Sequence, residues 1–216
     1  MDRLVHSRST RRCTTARELT AKGAATRARI VEGAAGVLRE QGVAAATLED
    51  VMARTHTSKS QLFHYFPDGK DQLLLAVAEF EADRVLADQE PYLRCLDSWE
   101  AWQRWRDVVV QRYEEQGDHC PLGSLLLQVG RTTPGARAIV VELLRSWQAS
   151  LEAGIRAMQA AGHLPADPAR LDVERHAASL LAGIQGGVAV LLATGESIHL
   201  RAALDQGISS LRAAAG

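Results

Sequence analysis

Hydrophobic residues recur at three- and four-residue steps along most of this chain. Ile30, Ala34, Val37 and Leu38 share one helical face, as do Leu180, Leu181, Ile184, Val188 and Leu191, and then Leu200, Leu204, Ile208 and Leu211. No stretch of strict alternation is long enough for a sheet. The β-branched runs Val108–Val110 and Ile139–Val141 sit inside helical periodicities. Prolines stand only at 67, 91, 121, 134, 165 and 168, and the proline-free stretches between them are rich in strong helix formers. The pattern predicts an all-α fold of about nine helices. They cover roughly 23–41, 48–54, 58–65, 70–89, from just after Asp97 or Ser98 to near Gly117, a helix with Pro121 in its first turn, 135–161, 169–193 and 197–214. Gly42 stops the first of these, and Thr47-x-x-Asp50 opens the second as a capping box.

Composition adds limits. The 216 residues carry a formal net charge of −1, with 46% hydrophobic and 24% charged residues. These values exclude a disordered, collagen-like or disulfide-stapled chain, and the length allows a core that needs no metal or disulfide support. Cys13, Cys95 and Cys120 form no C-x-x-C pair, which points to a reducing cytoplasm. The first thirty residues contain no apolar run of the secretory type. Ala177–Gly195 runs without a charge and is long enough to span a bilayer. Its Ser179, Gln185, Thr194 and four glycines, with no flanking basic clusters, favour a close-packed buried helix and no membrane partner.

Charge divides the chain. Residues 1–71 hold 12 Lys or Arg against 8 Asp or Glu, while residues 72–216 hold 13 against 18. A basic first part suggests a polyanionic partner for that part alone. Three units follow: a basic arm over 1–22, a three-helix unit over 23–69 and a larger helical unit over 70–216. The arm either lies along phosphates and the minor groove or is simply solvated.

The three-helix unit has the layout of a helix-turn-helix, in which a short second helix presents its outer face to the major groove. Leu48, Val51 and Met52 would close a core with Leu62 and Phe66. Lys59, Ser60, Gln61, His64 and Tyr65 would then face outward, a set able to bond base edges and phosphates. Ser58-x-x-Gln61 is also a capping box, so Gln61 has a competing role in its own helix.

The stretch TLEDVMARTHTSKSQLFHYFPDGKDQLLLAV, Thr47 to Val77, resembles the DNA-binding domain of the TetR family of transcriptional regulators, and the likeness reaches back to about Ala24. CPLGSLLLQVG, Cys120 to Gly130, resembles the LmrA/YxaF-like subgroup. The resemblance implies a sequence-specific regulator, by default a repressor, that binds a palindromic operator in double-stranded DNA as a homodimer and is released by a small effector. It implies DNA contacts from Thr47, Ser58, Lys59, Ser60, Gln61, Phe63, His64, Tyr65 and Lys70, with Tyr65 and Lys70 on phosphates. In the family an effector bound in the larger unit shifts the fourth helix and spreads the recognition helices. One departure stands out: His56 occupies the turn position where the family usually has Gly.

In the larger unit all four tryptophans are either core or dimer packing, or the wall of an apolar effector pocket. The candidate lining is Trp99, Trp102, Trp105, Val109, Leu122, Leu126, Trp147, Leu151 and Ile155, with His176 and Gln185 as polar anchors. Leu180, Leu181, Ile184, Val188, Leu191, Leu200, Leu204, Ile208 and Leu211 form a candidate dimer interface, with internal core as a second reading that is compatible with the first. Glu115/His119 and Asp172/His176 have helical i, i+4 spacing but no third ligand nearby, so no metal is expected, nor any cofactor. His119-Cys120 lacks a resolving thiol for a redox switch. No phosphate-loop, dinucleotide, zinc-protease or nucleophile-elbow motif occurs, so an enzyme is not expected. The alternative function is a helical small-molecule-binding protein without specific DNA binding.

Overall fold

The structure, a computed structural model, describes residues 19–117, 120, 123 and 129–215. Among them there are eight α-helices, two 3-10 turns (Tyr92–Arg94 and Val129–Arg131) and no strand. The helices are α1 Ala21–Gln41, α2 Leu48–Thr55, α3 Lys59–Tyr65, α4 Lys70–Ala87, α5 Trp99–Gln116, α6 Pro134–Ala160, α7 Val173–Thr194 and α8 Ile198–Ala215. The helix expected around Pro121, the basic arm up to residue 18, and Leu122, Leu126 and His119 lie outside the described residues.

Local chemistry sets the boundaries. Thr20 starts α1 two residues earlier than expected, because its hydroxyl accepts the Gly23 amide at 3.2 Å. Ser98 and Thr133 open α5 and α6 in the same way, and Pro134 takes the first position of α6, where its missing N–H costs nothing. The helix expected from 169 begins only at Val173, since Asp172 caps it through the Arg175 amide.

Helices α1 to α3 close the small unit around Ile30, Val37, Leu38, Val51, Leu62 and Phe66, all buried. Leu48 and Met52 pack on this core from partly buried positions. The larger unit packs α6 against α4 and α7, and α7 against α8. Trp102, Trp105, Trp147, Leu151 and Ile155 form its fully buried centre. By length and composition α7 could cross a membrane, yet its leucine and isoleucine face is buried within the fold.

Candidate nucleic-acid interface and effector core

The recognition element is framed by two capped helix starts and one strained turn. Helix α2 opens with the expected reciprocal cap. Thr47 Oγ1 accepts the Asp50 amide at 3.1 Å, and Asp50 Oδ2 accepts the Thr47 amide at 2.9 Å. The Thr47 hydroxyl also donates to Asp50, and these bonds hold the exposed Asp50 carboxyl below its usual pKa range. The helix ends at His56, which adopts φ 49° and ψ 44°, the left-handed conformation that the family's usual glycine would take without strain. His56→Gly is therefore expected to leave thermal stability unchanged or to raise it slightly. A clear fall in Tm would show that the imidazole stabilises the turn by some other contact.

Helix α3 would not persist alone at seven residues. Ser58 caps it, and Leu62 and Phe66 anchor it in the core with no solvent exposure. Arg27 of α1 lies 5.2 Å over the Phe66 ring. What remains outward is Lys59, Ser60, Gln61, Phe63 and His64, all exposed, with Tyr65 half-buried. His64 stands edge-on to Tyr65 at 4.9 Å. Gln61 carries the competing role as well. Its side-chain oxygen accepts the Ser58 amide at 3.3 Å, while its own amide reaches Ser58 Oγ at 3.2 Å. Its carboxamide is thus held by its own helix in the free protein.

Lys70 departs from the expected phosphate-facing pose. Its ammonium donates to the carbonyls of Val43 at 3.1 Å and Ala46 at 2.6 Å, pinning the first turn of α4 to the loop between α1 and α2. A second tie joins the same parts. Arg39 of α1 bonds Glu81 of α4, whose carboxylate is fully buried. Burial pushes the Glu81 carboxyl above its usual range, and Arg39 pulls it part of the way back. Arg29 further donates to the Thr55 carbonyl, and Arg54 pairs with Glu40 through two bonds, so α1 and α2 are tied to each other by both side chains. These ties could not be found from sequence, since residues 42 or 24 positions apart show no spacing signal.

The larger unit brings together most of the expected pocket wall. Trp102, Trp105, Val109, Trp147, Leu151 and Ile155 are all fully buried, with Trp102 and Trp105 edge to face at 5.6 Å. Trp99 is not with them: it lies half-buried beneath Arg212 of α8, 5.1 Å from the guanidinium. A three-residue step falls about 60° short of a full helical turn, so two such steps carry Trp99 off the face of Trp105. His176 is also misplaced as an interior anchor. It sits in the first turn of α7, its Nδ1 2.9 Å from the Asp172 carbonyl, about 14 Å along the axis from Gln185. Both side-chain polar atoms of Gln185 are buried. Cys120 is buried too, and no group of three or more potential metal ligands occurs among the described residues.

Residues 30–77 match the family described as bacterial regulatory proteins, tetR family, and residues 98–206 match the tetracyclin repressor-like C-terminal domain. The chain belongs to the TetR family. An HTH-type transcriptional regulator of Mycobacterium tuberculosis, Rv0196, is 26% identical over 110 residues, 48% of this chain and 53% of that protein. The chain thus spans about half the length of the curated relatives it matches. Solved structures share the fold. A TetR regulator from Chloroflexus aurantiacus superposes with a TM-score of 0.72 at 24% identity, covering 88% of this chain and 96% of that one. One from Haloarcula marismortui gives 0.75 at 19%, covering 88% and 98%. The SmeT–triclosan complex gives 0.67 at 20%, covering 86% and 91%.

In this TetR-family chain the expected dimer residues turn out to be internal. Leu180, Leu181, Ile184, Val188 and Leu191 of α7, with Leu200, Leu204, Ile208 and Leu211 of α8, are at most 7% exposed within a single protomer. The two apolar stripes bury each other, helped by glycines that let the helix backbones approach. The outward face of α7 carries small residues instead, Ala178, Ala182, Gly186 and Ala189, while that of α8 sets Ala202 and Ser209 beside the longer, polar Gln206.

Proposed function

We propose that this protein is a cytoplasmic DNA-binding transcriptional repressor, not an enzyme, that holds a palindromic operator as a homodimer and releases it on binding a small effector. The observation that carries the reading is the outer face of α3. A cation, a hydroxyl and two aromatic hydrogen-bonders stand on a short helix whose opposite side is locked by Leu62 and Phe66. Lys59 and Ser60 are the base readers, with Gln61 joining them only if it leaves its cap. Thr47, Ser58, Phe63, His64 and Tyr65 complete the contact surface, and Lys70 acts from behind it by fixing the loop it clamps.

The dimer forms through the outward faces of α7 and α8, where the short side chains of α7 allow close, two-fold helix packing. The effector occupies the core between α5, α6 and α7. Its effect reaches the DNA-facing unit through α4, because Gly135 of α6 abuts Leu75 of α4 and the ties of Lys70 and Glu81 carry α1 to α3 along with α4. The effector then acts by differential affinity for the two arrangements of α4. The Cys120 to Gly130 stretch is the basis for placing the chain near the LmrA/YxaF-like subgroup.

Selection of random duplexes by the purified protein at fixed salt tests the reading. A two-fold symmetric site should be enriched, and the protein should sediment at about twice its 23.4 kDa chain mass. Lys59→Ala should weaken binding to that site about tenfold or more. Folded, ligand-free protein that enriches no sequence would overturn the regulator and leave the small-molecule-binding alternative.

A further inference from the structure

The fold pairs its buried polar groups wherever it has the chance. The Trp102 indole N–H donates to the Leu96 carbonyl at 3.1 Å. The Trp105 indole donates at 3.0 Å to Gln89, whose own NH2 donates to the Val85 carbonyl at 2.9 Å. Against that standard three residues of the larger unit stand apart: Glu81, with one carboxylate oxygen unmet, and the uncharged Trp147 and Gln185. The Trp147 indole N–H is buried without a protein partner, and so are both the oxygen and the nitrogen of the Gln185 carboxamide. Leaving such groups unmet is disfavoured, and native proteins seldom do so without a purpose.

Trp147 and Gln185 stand at comparable distances from the connection between two packed helices. Helices α6 and α7 are joined by residues 161–172 and pack on each other, so α7 runs back along α6. Trp147 lies about 20 Å before the end of α6, and Gln185 about 18 Å after the start of α7. Leu151, Ile155 and Ile184, near them in sequence, are fully buried. The other buried residues of these two helices are apolar and uncharged. Among the described residues the only buried charge is Glu81, and that one is engaged by Arg39.

We propose that Trp147 and Gln185 are the polar anchors of the effector site, and that the effector is an uncharged, largely apolar molecule carrying an amide-like acceptor and donor side by side, such as a lactam. The inference rests on the effector-released reading above and names the chemistry of its site. The indole and the carboxamide nitrogen each offer a donor to the ligand oxygen, and the carboxamide oxygen accepts from the ligand N–H. An anionic ligand meets no buried cation among the described residues and would lose its hydration without compensation.

Two measurements on the protein without DNA test this. In calorimetric titration 2-quinolone, a bicyclic lactam, should bind, whereas 2-naphthoate, of similar size but anionic, should not. Gln185→Leu should weaken 2-quinolone about tenfold or more, as should Trp147→Phe. Gln185→Leu should also raise the ligand-free Tm by about 2–4 °C, because the two unmet polar atoms are replaced by an apolar side chain of similar size. Absence of 2-quinolone binding at millimolar concentration, or equal binding of 2-naphthoate, overturns the ligand class. A lowered Tm for Gln185→Leu overturns the anchor assignment. A failure to select DNA, with lactam binding intact, would instead overturn the regulator reading alone.

Discussion

Arg39→Met is expected to cost the protein about 3–5 kcal/mol of unfolding free energy, because it strands a buried charge. The Glu81 carboxylate has no solvent exposure, and its Oε2 has no partner at all. Arg39, itself only 13% exposed, is the cation bonded to its other oxygen. With Met in its place, the carboxylate must stay charged in an apolar setting or take up a proton. The double variant Arg39→Met/Glu81→Met should recover most of the loss, since matched apolar groups often replace a buried ion pair without penalty. Urea midpoints of the two single variants and the double variant, read as a cycle, decide the matter. Equal losses in Arg39→Met and in the double variant would show that the methylenes of Arg39, and not its charge, hold α1 on α4.

The pH dependence follows from the same carboxyl. Burial raises its pKa in the folded protein above that of the unfolded chain, so between the two values the folded state holds more proton. Stability from this group is therefore full below the unfolded value and declines as pH rises through the raised one. Removing Arg39 takes away the larger of the two attractions that lower it, the other being that of Arg84, so the deficit of Arg39→Met should be largest at pH 8 and shrink toward pH 5. The pair also bears on the proposed function. It links the DNA-facing unit to α4, through which the proposed effector would act, and replacing it with apolar groups should loosen that coupling.

The sequence made some of this legible and hid the rest, for definite reasons. Capping chemistry is local, so the boundaries at Thr47, Ser58 and Gly42 could be read from neighbours three residues apart. The left-handed turn at His56 was legible too, because the family resemblance marked a position needing positive φ. Long-range ties were not: nothing in the spacing links Lys70 to Val43 or Arg39 to Glu81. The stripes on α7 and α8 were legible as apolar faces, but periodicity cannot tell a face buried against a neighbour in the same chain from one buried against a second subunit. Ile184 has the same apolar neighbours three and four residues away in either case; what settles its place is that each stripe covers the other.

Gly187→Ala is expected to destabilise the protein by about 2–3 kcal/mol, although alanine is the better helix former by about 1 kcal/mol. A Cβ built at Gly187 would stand 2.5 Å from the Cα of Leu200 and 3.0 Å from its backbone nitrogen. Those atoms belong to the first turn of α8 and cannot rotate away, so the two helices must part. Parting them loosens Leu200, Leu204 and Ile208, which are buried between them. Gly207→Ala supplies the contrast on the same helix pair. The atom its Cβ would crowd is the tip of the Leu180 side chain, which can change rotamer, so its cost should be under about 1 kcal/mol. Thermal or urea unfolding of both variants checks the distinction. A large loss for Gly187→Ala beside a small one for Gly207→Ala would show that backbone contact at the α7–α8 crossing sets the geometry of the outward faces. Similar small losses would mean that the crossing can widen freely, and a dimer built on those faces would then need contacts from elsewhere to fix its two recognition helices at one spacing.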